Sequence, residues 1–347
     1  MIQHNATPAM TCPLPLAEYP HVLMAHGGGG RLSARLIEEL FGAAFGSDTG
    51  HDGVVLDVPT DRVAMSTDSF VVRPLFFPGG DIGMLAVNGT VNDLAMCGAR
   101  PRYLSAGFIL EEGLPMATLW RIAQSMRAAA DAAEVRIVTG DTKVVERGHG
   151  DGIYINTCGI GVLEHTRPIG PAQVTAGDVV LLSGAVGHHG MAVMAQRESL
   201  SFSSLIESDC APLAATVMAL LDRDIEVHCL RDATRGGLAA VLNEIARTSG
   251  LQVDGDEMAI PVDDSVRSAC EILGIDPMQV ANEGCFVAFI AANDAPSALE
   301  LMRRFQPQAA VIGEVVVGKA GLVTLKTSIG GRRILDLPAG ELLPRIC

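Results

Sequence analysis

Four aspartates stand where the chain turns: Asp68 in Ser-Thr-Asp-Ser, Asp93 in Val-Asn-Asp-Leu, Asp141 in Gly-Asp-Thr-Lys and Asp232 in Arg-Asp-Ala-Thr-Arg-Gly-Gly. Mg²⁺ takes a few carboxylate oxygens and completes its shell with water and phosphate oxygens, so aspartates converging from separate loops are what a metal-nucleotide site requires. Taken singly, each reads as a helix cap or a turn residue. Two glycine stretches could accompany them. Gly27, Gly28, Gly29 and Gly30 open a helix, and no Gly-Lys-Ser/Thr follows, so the run is neither a Walker loop nor a dinucleotide fingerprint. It reads equally as a phosphate cover or as a surface turn. The second, around Gly236, has Arg235 and Asp232 beside it. Lys143 could neutralise a transferring phosphoryl group, and Glu283 could take a proton from an amide nitrogen; the plain alternative for both is a surface ion pair. Cys347, in Leu-Pro-Arg-Ile-Cys, offers a nucleophilic sulfur at the last position of the sequence.

The elements that must position these groups alternate strand and helix. The pattern predicts a helix over 31–45, a strand near 63–72, a helix near 82–96, a strand over 103–110, a helix over 116–133 and strands at 135–139 and 152–159. A proline- and glycine-punctuated passage at 167–178 reads as a boundary between lobes. Beyond it come a strand at 179–183, a polar turn into a helix over 231–246, and strands at 311–317 and 322–326. The expected organisation is an N-terminal extension (1–20), an N-terminal domain (21–165), a C-terminal α/β domain (166–335) and a mobile tail (336–347) carrying Cys347. Pro338 and Pro344 keep that tail from being a helix, and 12 extended residues reach on the order of 40 Å.

Composition narrows the class. With 48% apolar residues, 38 glycines and only 4% aromatics, the chain is globular and leans to α/β. Its net charge of −15 shows no basic footprint, so a nucleic-acid partner is not expected. No apolar run has the length of a membrane span, no signal peptide opens the chain, and a cytoplasmic protein is expected. The eight cysteines show no zinc or Cys-x-x-Cys spacing. Cys347 is also out of place for prenylation, which needs the cysteine four residues from the end.

Several ordered stretches resemble the superfamily of aminoimidazole ribonucleotide synthetase, selenophosphate synthetase and thiamine monophosphate kinase, and within it the HypE family of nickel-iron hydrogenase maturation proteins. They include His-Gly-Gly-Gly-Gly, Ser-Thr-Asp-Ser, Asn-Asp-Leu, Val-Thr-Gly-Asp-Thr-Lys-Val-Val, Leu-Arg-Asp-Ala-Thr-Arg-Gly-Gly, Ala-Asn-Glu-Gly and the closing Pro-Arg-Ile-Cys, the last being the part specific to HypE. One departure is His188-His189, where the family pattern has a single histidine preceded by another polar residue.

The resemblance implies a two-lobed α/β (α+β) fold of the aminoimidazole ribonucleotide synthetase type, with the N-terminal lobes of a homodimer pairing into a barrel-like sheet. It implies ATP and Mg²⁺ near that interface, with Asp68, Asp93, Asp141 and Asp232 toward the metal and Asn92, Thr142, Arg235, Gly236 and the 27–30 loop toward the nucleotide. It implies that Cys347 carries a carbamoyl group received from the carbamoyltransferase HypF, that ATP-dependent dehydration converts it to a thiocyanate, and that the cyanide passes to the hydrogenase iron through a HypC–HypD complex. Either Glu283 or Lys143 then serves as base. Two other readings compete: a selenophosphate synthetase-like enzyme acting on a free small molecule, for which Cys12 lies too far before Gly27, and a non-catalytic scaffold, distinguishable by absence of ATP turnover.

Overall fold

The computed structural model describes residues 19–27, 31–46, 58–59, 62–198, 205–337 and 346. Gly28, Gly29, Gly30, Cys347 and most of the expected N-terminal extension lie outside the described residues.

The first lobe begins with α1 (Arg31–Arg35), which continues through a π-helical stretch, Leu36–Gly42, into α2 (Ala43–Phe45); the helix expected over 31–45 is thus one run with a widened middle. There follow β1 (Val63–Phe70), β2 (Phe76–Phe77), β3 (Gly80–Asp81), α3 (Ile82–Met96), β4 (Arg100–Glu111), α4 (Met116–Ala132), β5 (Arg136–Val145) and β6 (Ile153–Val162). The long strands form one sheet in the order β1-β6-β4-β5. The β4–β5 pair is parallel, as its crossover helix α4 requires, and the others are antiparallel. One face of this sheet packs on α3, while the other leaves Val63, Met65 and Ile109 exposed.

The second lobe runs β7 (Val179–Leu182), α5 (His188–Arg197), α6 (Ala214–Asp222), β8 (Val227–Asp232), α7 (Gly237–Ser249), β9 (Gln252–Asp256), α8 (Asp264–Leu273), β10 (Phe286–Ile290), α9 (Ala295–Phe305), β11 (Ala310–Val316), β12 (Val323–Lys326) and β13 (Arg332–Ile334). Its seven-stranded mixed sheet has the order β13-β12-β9-β11-β7-β10-β8. The passage expected as a polar turn into a helix is in fact the end of a strand, β8, then a turn, then α7. β9 was not expected at all: Gln-Val-Asp-Gly-Asp has one apolar side chain, and pairing between β11 and β12 makes it a strand where propensity does not.

α3 joins the lobes. It is apolar nearly all round because it is covered on every side, by β1 and β6, by α4, and by α6 and β8 of the second lobe. Asp81 caps it, its carboxylate accepting from the Gly83 and Met84 amides. Gly89 lets it approach β1, since a Cβ there would meet the Phe70 ring at 2.8 Å.

Candidate active site

The helix that joins the lobes also delivers the first carboxylate. Asp93 lies on α3 facing β1, where the Ser66 hydroxyl donates to its Oδ2 at 2.6 Å. Asp68 sits two residues further along β1, and Asp232 ends β8 across the lobe junction. Next to them Glu283 stands in the turn that leads into β10. These four residues, with Arg231, Arg235, Gly170 and Pro171, line a cavity of about 580 Å³ between the lobes.

The backbone there is tightly fixed. Gly236 and Gly237 turn the chain with φ of 75° and 61°, and a Cβ on Gly237 would meet the Val280 carbonyl oxygen at 2.5 Å. Asp209 accepts from the Glu283 amide through Oδ1 (3.1 Å) and from the Gly284 amide through Oδ2 (3.0 Å). Asn282 donates to the Ala233 carbonyl at 2.8 Å and accepts from the Gly187 amide at 2.6 Å, tying β8, α5 and the Glu283 turn together. Asn92, fully buried, is occupied in the same way: its Nδ2 reaches the carbonyls of Ala211 (3.1 Å) and Glu283 (3.3 Å), and its Oδ1 accepts from the Leu213 amide (2.8 Å). Expected to face a nucleotide, Asn92 here locks α3 to the second lobe.

Crowding of like charges dominates the electrostatics. Asp68 is pushed up to about 6 by burial and by Asp93, with Arg235 opposing. Asp232 is raised to about 7 by burial, then by Asp93. Glu283 is driven well above the usual carboxylate range by burial and by Asp232, Asp209, Asp68 and Asp93. Among the described residues, no three of these groups are close enough to hold a metal ion unaided.

The raised value of Asp232 has a measurable consequence. The folded chain holds its proton up to about pH 7, whereas the unfolded chain releases it near pH 4, so its contribution to stability is lost as pH rises through that window. In metal-free buffer the wild-type melting temperature is expected to fall by a few degrees from pH 5 to pH 7.5, and Asp232→Asn to flatten that fall. Parallel slopes for the two proteins in thermal scans would contradict this assignment.

The other expected residues lie elsewhere. Asp141, Thr142 and Lys143 are on β5, at the opposite edge of the sheet from β1, and none of them lines the cavity. Three strand spacings separate the two edges, about 14 Å. Lys143 Nζ binds both oxygens of Asp141, at 2.7 and 2.5 Å, and the pair is largely exposed. That contact holds the Asp141 carboxyl below its ordinary range. Gly27 belongs with this group: a Cβ on it would meet the Val144 amide nitrogen at 2.6 Å, so the start of the glycine run lies flat on β5 beside Lys143. The expected residues therefore fall into two separate groups on the chain. Asp68, Asp93, Asp232, Arg235 and Glu283 form one, and Gly27, Asp141, Thr142 and Lys143 the other.

Residues 50–163 match the family described as AIR synthase related protein, N-terminal domain, and residues 175–326 match its C-terminal domain. Over 332 residues the chain is 52% identical to carbamoyl dehydratase HypE of Azotobacter vinelandii, covering 94% of this chain and 97% of that one. The chain belongs to the HypE family. Solved HypE structures agree. A crystal structure of the hydrogenase maturation protein HypE in complex with ATP superposes with a TM-score of 0.91 at 47% identity, covering 94% of this chain and 99% of that chain. A HypE-HypF complex gives 0.78 at 47% identity, over 87% and 99%.

The hydrogen bonds around the site add residues to which sequence reading gives no role. Asp209 and Asn282 hold the Glu283 turn, yet a lone aspartate among small polar residues carries no signal of that. His189 is buried among them, its Nδ1 2.8 Å from Ser208 Oγ and its Nε2 2.6 Å from the carbonyl oxygen of Ile346. In the sequence, His188-His189 stands out only as a departure from the family pattern. Ile346 itself is buried.

Proposed function

We propose that this HypE family member dehydrates an S-carbamoyl group on Cys347 to a thiocyanate with ATP, the cyanide being destined for the iron of a nickel-iron hydrogenase. The observation that carries the reading is a protonatable carboxylate, Glu283, at the end of an acidic interlobe cavity, next to the His189 pocket that takes Ile346, the neighbour of Cys347. The kinship with a carbamoyl dehydratase and with an ATP-bound HypE supports it.

The chemistry follows from what an amide lacks. Oxide is a poor leaving group, so the carbamoyl oxygen first attacks the γ-phosphorus, ADP departs, and one N–H proton is released. The O-phosphoryl intermediate then loses its second nitrogen proton and its phosphate, leaving S–C≡N. Glu283 is the group assigned to accept a nitrogen proton, since a carboxylate with raised proton affinity is a stronger base than an exposed one. Lys143 is assigned to the phosphoryl oxygens as a point charge. Asp68, Asp93 and Asp232, with Asp141, would hold Mg²⁺ together with phosphate oxygens, and the bound ion would neutralise phosphate charge.

The two halves of the site would meet in a homodimer. β1 and β5 are the two outer strands of their sheet, and its open face bears Val63, Met65 and Ile109. Pairing of edges between two chains would bring one chain's β5 toward the other's β1 and cover that face. A HypF-like protein would supply the carbamoyl group and a HypC–HypD-like complex would accept the cyanide, in the cytoplasm.

Incubation with a carbamoyl donor and Mg-ATP is expected to give a Cys347 peptide lighter by one water than its carbamoylated form, with ADP and phosphate released in step. Mass spectrometry of the digested protein decides it. Stoichiometric carbamoylation with no such loss of water, at any ATP concentration, would rule out the dehydration.

A further inference from the structure

The first turn of α5 is pinned to the segment that carries Glu283. Gly187 donates to Asn282 Oδ1 and Gly190 to the Ala281 carbonyl (3.0 Å), so His189 enters the space behind the Glu283 turn. Its ring is completely buried and meets the Phe77 ring edge-on at 5.3 Å between centroids.

Both ring nitrogens are committed, and their partners fix the tautomer. A peptide carbonyl only accepts, so the nitrogen facing Ile346, Nε2, must carry the proton. Nδ1 then keeps its lone pair and accepts from the Ser208 hydroxyl, whose oxygen in turn accepts from the Cys210 amide at 3.1 Å. Burial lowers the basicity of this imidazole and favours the neutral ring that the arrangement needs. The residues on either side of Asp209 thus orient His189, while Asp209 itself holds the Glu283 and Gly284 amides. The Ile346 side chain is packed into the core beside them, at 5% exposure.

We propose that His189 is a positioning residue for the dehydration: its Nε2–H binds the carbonyl of Ile346 and, with the pocket that takes the Ile346 side chain, docks the carbamoylated Cys347 at the Glu283 end of the cavity. The ligand of this subsite is the chain's own Ile346-Cys347 peptide. The assignment rests on the dehydration reading above for its catalytic consequence, and on geometry alone for the docking.

The peptide bond preceding Cys347 is the last backbone group before the sulfur, so fixing its carbonyl removes most of the freedom that would otherwise separate the carbamoyl group from its base. A buried hydrogen bond from a pre-oriented donor is worth on the order of tenfold in a docking equilibrium. Ile346 adds apolar burial to that bond.

Two readouts test the proposal in the full-length protein. One is the single-turnover rate of thiocyanate formation at saturating Mg-ATP. The other, which does not depend on any catalysis, is the rate at which iodoacetamide alkylates Cys347, followed by peptide mass spectrometry with exposed Cys97 as the internal reference. His189→Leu fills the space without a donor and is expected to slow dehydration and speed Cys347 alkylation, each by about tenfold, with ATP affinity unchanged. His189→Gln places an amide donor near the Nε2 position and is expected to recover most of both losses. Ile346→Ala keeps every hydrogen bond of the α5 turn and removes only the apolar anchor, and it too is expected to raise alkylation. Wild-type alkylation rates in His189→Leu and in Ile346→Ala would overturn the docking. Faster alkylation with an unchanged dehydration rate would overturn the positioning role. Absence of thiocyanate in the wild type, with the alkylation differences intact, would sink the dehydration reading and leave the docking standing.

Discussion

Glu283→Gln is expected to slow thiocyanate formation by roughly 10²–10⁴-fold, the usual contribution of a positioned base, while ATP binding and folding persist. Glutamine has nearly the same shape, and the main chain here is held by Asp209 through the amides of residues 283 and 284, not by the Glu283 carboxyl. The substitution also removes a buried acid from among Asp232, Asp209, Asp68 and Asp93, so the melting temperature should stay level or rise. A base must be ionised to act. Because burial and its carboxylate neighbours raise the proton affinity of Glu283 well above the usual carboxylate range, the wild-type rate should still be climbing with pH where ordinary carboxylates are fully ionised, and that rising limb should vanish in the variant. Single-turnover rates of the carbamoylated protein across pH measure both effects. A Glu283→Gln rate close to wild type would transfer the role of base to Lys143.

Much of this was legible beforehand, for reasons that differ from residue to residue. α4 and the long strands of the first lobe announce themselves through periodicity, because each has one buried face. β9 does not, since its identity as a strand comes from two partners far away in sequence. The aspartates were found by their turns and neighbours, and Asp68, Asp93 and Asp232 do converge on one cavity. Sequence could not show that Asp141 and Lys143 stand across the sheet from them, because strand order is a property of topology: the parallel crossover through α4 puts β5 outside β4. Nor could it distinguish Asn92, which fastens α3 to the second lobe, from its neighbour Asp93, which faces the cavity. Adjacent residues on a helix point about 100° apart, so two polar residues in a row divide between packing and chemistry.

That separation of halves leads to the second large effect. If each working site takes Asp68, Asp93, Asp232 and Glu283 from one chain and Asp141 and Lys143 from its partner, then Asp232→Asn and Lys143→Ala should each nearly abolish activity as homodimers, and co-expression of the two should restore it. In a mixed dimer, one site carries both lesions and the other carries neither. Random pairing makes about half of all dimers mixed, each with one intact site of two, so the expected recovery is about a quarter of wild-type activity. A control sets the scale: Asp232→Asn mixed with Glu283→Gln places both lesions in the same half, so every site in every dimer keeps one of them and no recovery is expected. Tandem affinity purification of differently tagged chains, followed by thiocyanate assay, isolates the mixed species directly. The competing geometry has one chain bending its own β5 edge round to its cavity. It predicts no recovery in either mixture, since every chain then carries a damaged site of its own, and the difference between a quarter and none lies well outside assay error.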